Sequence, residues 1–172
     1  MTATANWYEQ NGTATGSPAH GAESSISSCL WKSVDDATTS EENAPIEAGE
    51  NSYTKYNYVK FTGVFNKISD VKFAHTAGSL GDGITLKGKI SSTYATPVAS
   101  GIEGASDISA PINIASGANV LLGTSGPNDT NPASFQTSAC YTQYIITQAQ
   151  VAATATAGNS GTATLTIKYK ES

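Results

Sequence analysis

The residues able to do chemistry are few and scattered. His20 sits in a Gly-, Pro- and Ser-rich stretch, and His75 ends an apolar run just before a glycine-rich segment. Neither has an acid, base or nucleophile at a spacing that would build a catalytic constellation, so each reads as a surface histidine. Nucleophile motifs of the G-x-S-x-G type are absent. Gly78-Ser79-Leu80-Gly81-Asp82-Gly83 is rich in glycine but carries no lysine and opens no helix, so a phosphate cradle does not follow. Asp35-Asp36 with Glu41-Glu42 could offer oxygens to a hard cation, yet they lack the alternate spacing of a calcium loop. Cys29 and Cys140 match no zinc or redox spacing. They read as small buried thiols, a disulfide being disfavoured by cytosolic synthesis. Tyr53, Tyr56 and Tyr58, with Trp7 and Trp31, could form stacking platforms for a sugar. The plainer reading is that the tyrosines straddle core and surface with a wet hydroxyl. The expectation is a protein with no catalytic residues, no cofactor and no metal.

Charge narrows the partners. The chain of 172 residues has a net charge of −5 and only 13% charged residues, about half the usual share. There is no arginine, the residue that forks onto phosphates and base edges, so a nucleic-acid partner is not expected. Acids gather in residues 1–50 (Glu9, Glu23, Asp35, Asp36, Glu41, Glu42, Glu47, Glu50), opposed by Lys32 alone. Residues 51–90 hold Lys55, Lys60, Lys67, Lys72, Lys87 and Lys89 against Asp70 and Asp82. Such polarity can orient neighbours in an assembly, although solvated faces are the plainer reading. The start, MTATANWYEQNG, has neither a basic region nor an apolar stretch, so a secretory signal is not expected. No run approaches the length of a membrane span, and the expected course is synthesis in a cytosol and solubility until the chain reaches its destination.

The elements that must carry these residues read as strands. Asn51 to Ile90 has the clearest signal, with aromatic and β-branched residues over Tyr53–Thr62 and a continuation through Gly63 to Phe65. A second run starts at Ile68, Val71 and Phe73, and a third at Ile84, Leu86 and Ile90. Gly78, Gly81, Asp82 and Gly83 between them read as hairpin punctuation. Half of each run is apolar and half Lys, Thr, Asn or Ser, as in strands with one packed and one wet face. Upstream, Ala5–Glu9 precedes a turn pair, Asn11-Gly12, and a low-complexity loop from Thr13 to Ser25. Ile26 to Val34 reads as a strand, Asp35–Glu42 as an acidic loop and Ala48-Gly49-Glu50 as a turn. Downstream, Tyr94, Thr96 and Val98 suggest a short strand demoted to an edge by Pro97. Ile112-Asn113-Ile114 alternates, and Gly123–Ser138 is the longest irregular stretch, of the kind that makes contacts. Cys140–Thr156 reads as one long strand. Ala157–Gly161 reads as a turn into a closing strand over Thr162–Lys170, together a C-terminal β-hairpin. The sum is an all-β, single-domain antiparallel β-sandwich over residues 1–172, with seven to nine strands in a jelly-roll or immunoglobulin-like arrangement.

Ala5-Asn6-Trp7-Tyr8-Glu9 with Asn11-Gly12, Pro45-Ile46 with Gly49 and Ser52-Tyr53, Lys60-Phe61-Thr62-Gly63 with Phe65 and Ile68-Ser69, Thr85-Leu86-Lys87-Gly88-Lys89, and Gln148-Ala149-Gln150 together carry a resemblance. In these partial motifs, spread over most of its length, the chain resembles small virion structural proteins of tailed bacteriophages. The resemblance implies a non-enzymatic β-sandwich of the virion, foremost a capsid decoration or cement protein that binds and stabilises the head lattice. Neck, tail or baseplate components and a carbohydrate-binding host-recognition module are the alternatives. The major capsid protein would be the partner, and a homo-oligomer the expected state. Docking would use loop tips and chain ends, multiplied over many copies. The candidates are an N-terminal arm over residues 1–25 with Trp7, Tyr8 and Glu9, the acidic loop with Asp35, Asp36, Glu41 and Glu42, and the late loop with Pro127, Asn128, Asp129 and Phe135. Deleting residues 1–12 is then expected to leave a folded domain that no longer binds particles.

Overall fold

In chain order the strands are β1 (Ala3–Thr15), β2 (His20–Ser25), β3 (Lys55–Gly63), β4 (Ile68–Gly78), β5 (Ile84–Ser91), β6 (Ser106–Asp107), β7 (Ala118–Asn119), β8 (Leu122–Gly123), β9 (Phe135–Gln136), β10 (Cys140–Thr142), β11 (Tyr144–Val151) and β12 (Ala163–Glu171). Among the described residues a 3-10 turn, Glu41–Asn43, interrupts them. The computed structural model describes residues 2–111, 118–137, 139–156, 158 and 161–172; the Ile112–Ile114 alternation and most of the Ala157–Gly161 turn lie outside them. Every described strand pair is antiparallel, in an eight-stranded sheet ordered β2-β1-β3-β11-β5-β6 and a four-stranded sheet ordered β12-β4-β7. Short β10 and β8 extend the larger sheet beside β3, and β9 pairs with β4. The all-β sandwich read from the sequence is the observed fold, with twelve described strands rather than the expected seven to nine; the surplus is β6 to β10, each two or three residues long and too short to leave an alternation in the sequence. No described helix is long and apolar enough to cross a membrane.

The layers close on Val59 and Phe61 of β3, Leu86 of β5 and Ile145 and Ala149 of β11, facing Val71 and Phe73 of β4 with Leu165 and Ile167 of β12. Period-2 alternation puts these side chains on one face of each strand. Phe61 is fully buried and meets Tyr169 edge-on at 4.8 Å between ring centroids. The outer face of the large sheet is covered as well. Tyr56, Tyr58, Tyr144 and Ile146 form a second cluster there with Tyr94, whose segment lies over them as coil. The expected one-dry, one-wet pattern therefore fails for β3, which is buried on both faces over Lys55–Val59. The short edge strand read at Tyr94–Val98 is this covering coil; Val98 bonds to Thr54 rather than to a ladder.

Four further expectations are corrected. The C-terminal β-hairpin does not form: β11 pairs with β3 and β5, while β12 pairs with β4 in the other sheet. Gly78–Gly83 is likewise a crossing between sheets rather than a hairpin. The two crossings lie against each other, with Gly161 N–H donating to Leu80 C=O at 2.9 Å. Glycine is needed there, since a Cβ on Gly161 would come within 2.1 Å of Ser79 O. The local signal of a layer crossing is the same as that of a hairpin, because both need reversal residues between alternating runs. Third, residues 3–15 are no loose arm. They pair with β3 from Ala3↔Gly63 to Gln10↔Tyr56 and with β2 on the other side. Asn11-Gly12 sits inside that strand at a register shift, and the chain turns at Gly16–Ala19 instead. Fourth, Ile26–Val34 is not a strand. Its backbone bonds go to separate places, Ile26 N–H to Trp7 C=O and Ser33 N–H to Ala44 C=O, both at 3.0 Å.

Candidate functional site

On one side the layers stand apart and enclose a cleft of about 470 Å³. Trp7 of β1, Leu30 and Trp31 of the 26–34 loop, Ile46, Ile84 of β5 and Leu165 of β12 form its apolar walls. The loop is fastened there by Trp31 Nε1–H donating to Thr147 Oγ1 at 3.0 Å and by Lys32. Lys32 is 1% exposed, and its ammonium donates to Asp36 Oδ1 at 3.0 Å and Thr39 C=O at 2.6 Å. The volume and the aromatic walls suit a small ligand or an inserted side-chain row.

The ionisable groups lining the cleft are Cys29 and Glu41. Burial first, then the nearby Glu9 charge, push the Cys29 thiol up to about 12, while Asn57 Nδ2–H donates to its sulfur at 3.4 Å. Such a thiol stays protonated at neutral pH and is a poor nucleophile. Burial also raises Cys140, to about 11, and both cysteines are free. The cleft can therefore hold a partner, and the Cys29 thiol that faces it is not an activated nucleophile.

Behind Cys29 lies a group of buried polar side chains. Lys55 Nζ donates to Glu9 Oε1 at 3.0 Å, and Asn11 Nδ2 donates to the same oxygen at 2.6 Å. Asn57 Oδ1 is buried without a hydrogen-bond partner. Sequence reasoning placed Lys55 and Asn57 on a wet face, since Lys and Asn in a strand normally mark solvent. Only the placement of Glu9 opposite Asn57 reveals them as part of the interior.

The expected site residues separate. Trp7 and Glu41 meet at the cleft. Tyr8 points to the other face and stacks on Tyr58 at 5.4 Å and 12°. Asp35 turns inward, its Oδ2 accepting from Gly12 N–H at 2.7 Å. Asp36 shapes its own loop: the Thr39 hydroxyl and N–H, then the Lys32 ammonium and the Thr38 N–H, donate to its carboxyl and hold it well below the usual range. Glu42 is exposed on the 3-10 turn. Pro127 is buried. Asn128 bridges two loops, donating to Ala19 C=O at 2.6 Å and accepting from Tyr144 O–H at 2.7 Å. Asp129 accepts from the N–H groups of Thr124 and Asn131 at 2.9 and 2.8 Å, building its own turn. Phe135 is exposed on β9 under the Lys67 ammonium, 4.6 Å from the ring centroid. His75, read as a surface residue, is buried, with ring nitrogens 2.6 Å from Ile108 C=O and 2.8 Å from Ala77 C=O. Among the described residues no three His, Cys, Asp or Glu side chains are grouped to hold a metal.

The tyrosines offered as sugar platforms belong mostly to the covered outer cluster. Tyr58 O–H donates to Glu23; beside it in that cluster Tyr94 O–H donates to Gly12 C=O at 2.7 Å, and the one hydroxyl proton of Tyr144 is shared between Gln10 Oε1 and Asn128 Oδ1, each 2.7 Å away. No family model, no curated protein and no solved structure matches this chain.

Proposed function

We propose that this chain is a non-enzymatic structural protein of a bacteriophage virion, foremost a capsid decoration protein docked on the head lattice. The observation that supports it best is how the chemically capable side chains are used. Asp35, Asp36, Asp129, His75 and Cys29 hold the fold or sit inside it, which leaves the outer contour as the working surface. That contour includes β12, a nine-residue strand at the end of its sheet order, with Lys168 and Lys170 exposed. A sheet edge of this length can accept a neighbour's strand, and the cleft beside it could take the neighbour's apolar side chains. The major capsid protein would be the partner, and repetition over the lattice would multiply a weak contact.

The test is immunogold labelling of intact particles with antibody raised against the chain. Regular label over the head is expected; particles without label would overturn the reading. A second reading has its own observation: Trp7 and Trp31 flank a cleft of sugar-binding size. Label confined to the tail tip, with glycan-array binding lost in Trp31→Ala, would move the assignment to host recognition.

A further inference from the structure

The β1–β3 ladder pairs Glu9 with Asn57 and Gln10 with Tyr56. Asn11 and Lys55 are the next residues beyond that last pair, and Glu9 Oε1 brings their side chains together. Their side chains share the inward face, and Glu9 stands two residues before Asn11 on the same face. Exposure is 5% for Glu9, 6% for Asn11 and 2% for Lys55. An amine, a carboxamide and a carboxyl group thus meet away from water, and one oxygen, Glu9 Oε1, holds both nitrogens at 3.0 and 2.6 Å.

From this juxtaposition we infer that Lys55 and Asn11 join in an intramolecular isopeptide bond, with Glu9 carrying the protons. Glu9 Oε1 takes one proton from the Lys55 ammonium, and the freed lone pair attacks Asn11 Cγ. The new C–N bond forms as the carbonyl electrons move to Oδ1. Glu9 passes its proton to Nδ2 and takes a second one from Nζ. The carbonyl reforms, the Cγ–Nδ2 bond breaks, and ammonia leaves with that bond's electron pair. The products are a secondary amide, ammonia and a neutral Glu9 carboxyl, so atoms and charge balance without a co-reactant.

Two physical points drive the step in this direction. The reaction removes a buried ammonium–carboxylate pair, whose desolvation is costly, and leaves neutral groups in its place. The ladder holds the reacting groups on neighbouring strands, so no chain entropy is lost at the moment of reaction. A competing fate for Asn11 is attack by the following backbone nitrogen to give a cyclic imide. Here Gly12 N–H is engaged with Asp35 Oδ2 at 2.7 Å, turned away from that attack.

Intact-mass measurement and tryptic mapping of the denatured full chain test the inference. The expected mass is about 17 Da, one ammonia, below that of the sequence. Lys55 should resist trypsin, and a branched peptide should join residues 1–32 to 33–60. Asn11→Ala and Lys55→Arg should each show the full mass of their own sequences, as should Glu9→Gln. An unshifted wild-type mass overturns the bond. So does a loss confined to residues 1–32 with normal cleavage after Lys55, which would mark the cyclic imide. A cross-link that survives in Glu9→Gln overturns the role of Glu9. The wild-type readings need no variant to fold.

Discussion

Asp36 accepts four hydrogen bonds, from Lys32 Nζ, the N–H groups of Thr38 and Thr39, and Thr39 Oγ1. They favour the ionised form and hold its pKa below the ordinary 3.8, Thr39 contributing most. A carboxyl depressed by folding adds stability that is complete above its unfolded pKa and fades as pH falls below it. Asp36→Asn should therefore melt below wild type near pH 7, and the gap in Tm should shrink as pH drops under about 4. A gap that stays constant with pH would separate the loop's stability from the carboxylate's charge. The cysteines make a different prediction at the same scale. With Cys29 pushed up to about 12 and Cys140 to about 11, neither should react with a disulfide reagent in the native protein at neutral pH. Both should react in urea; fast native labelling would mean that the 26–34 loop opens readily.

β1 shows how far a strand's role can differ from its sequence signal. Ala3–Thr15 lies between β2 and β3, so removing residues 1–12 would strip most of a strand from within the sheet. The expected outcome is loss of cooperative unfolding and of near-ultraviolet circular dichroism, reversing the expectation of a dispensable arm. Within β3, Phe61→Ala should cost roughly 3–5 kcal/mol in urea unfolding, because a fully buried ring facing Tyr169 leaves a cavity. The strands themselves were legible. Aromatic and β-branched runs located β3, β4, β5, β11 and β12, and the Leu165, Ile167 and Tyr169 alternation gave the inward face of β12 correctly. Pairing was not legible, because a glycine-rich reversal has the same composition whether it joins neighbours or crosses layers. Nor was the cleft. Its apolar walls come from stretches of chain far apart in sequence, around Trp7, Trp31, Ile46, Ile84 and Leu165, and Lys55, Glu9 and Asn11 look solvated until their strands are laid side by side. Residues 1–25 read as a docking arm because Glu9, Gln10 and Asn11 mask the burial pattern of β1 with polar types.

At the scale of the molecule, Tyr144 joins parts that are distant in sequence. Its hydroxyl meets Gln10 of β1 and Asn128 of the late loop, both at 2.7 Å. Tyr144→Phe keeps the ring contacts but removes a buried donor, with an expected loss of about 1–3 kcal/mol in equilibrium unfolding. An unchanged free energy would mean that the late loop is held by its own turn alone. The same architecture brings residues near the two ends together: Ala3 N–H donates to Glu171 at 3.0 Å, and Ser172 C=O accepts from Asn66 and Lys67 N–H at 2.8 and 2.9 Å. A few glycines could thus splice the termini into a ring, and the ring could be reopened at the exposed Glu103-Gly104 tip without moving a strand. Such a rewired chain should keep the parent's spectrum, and it would carry any fused cargo from the Glu103-Gly104 tip instead of from the present ends.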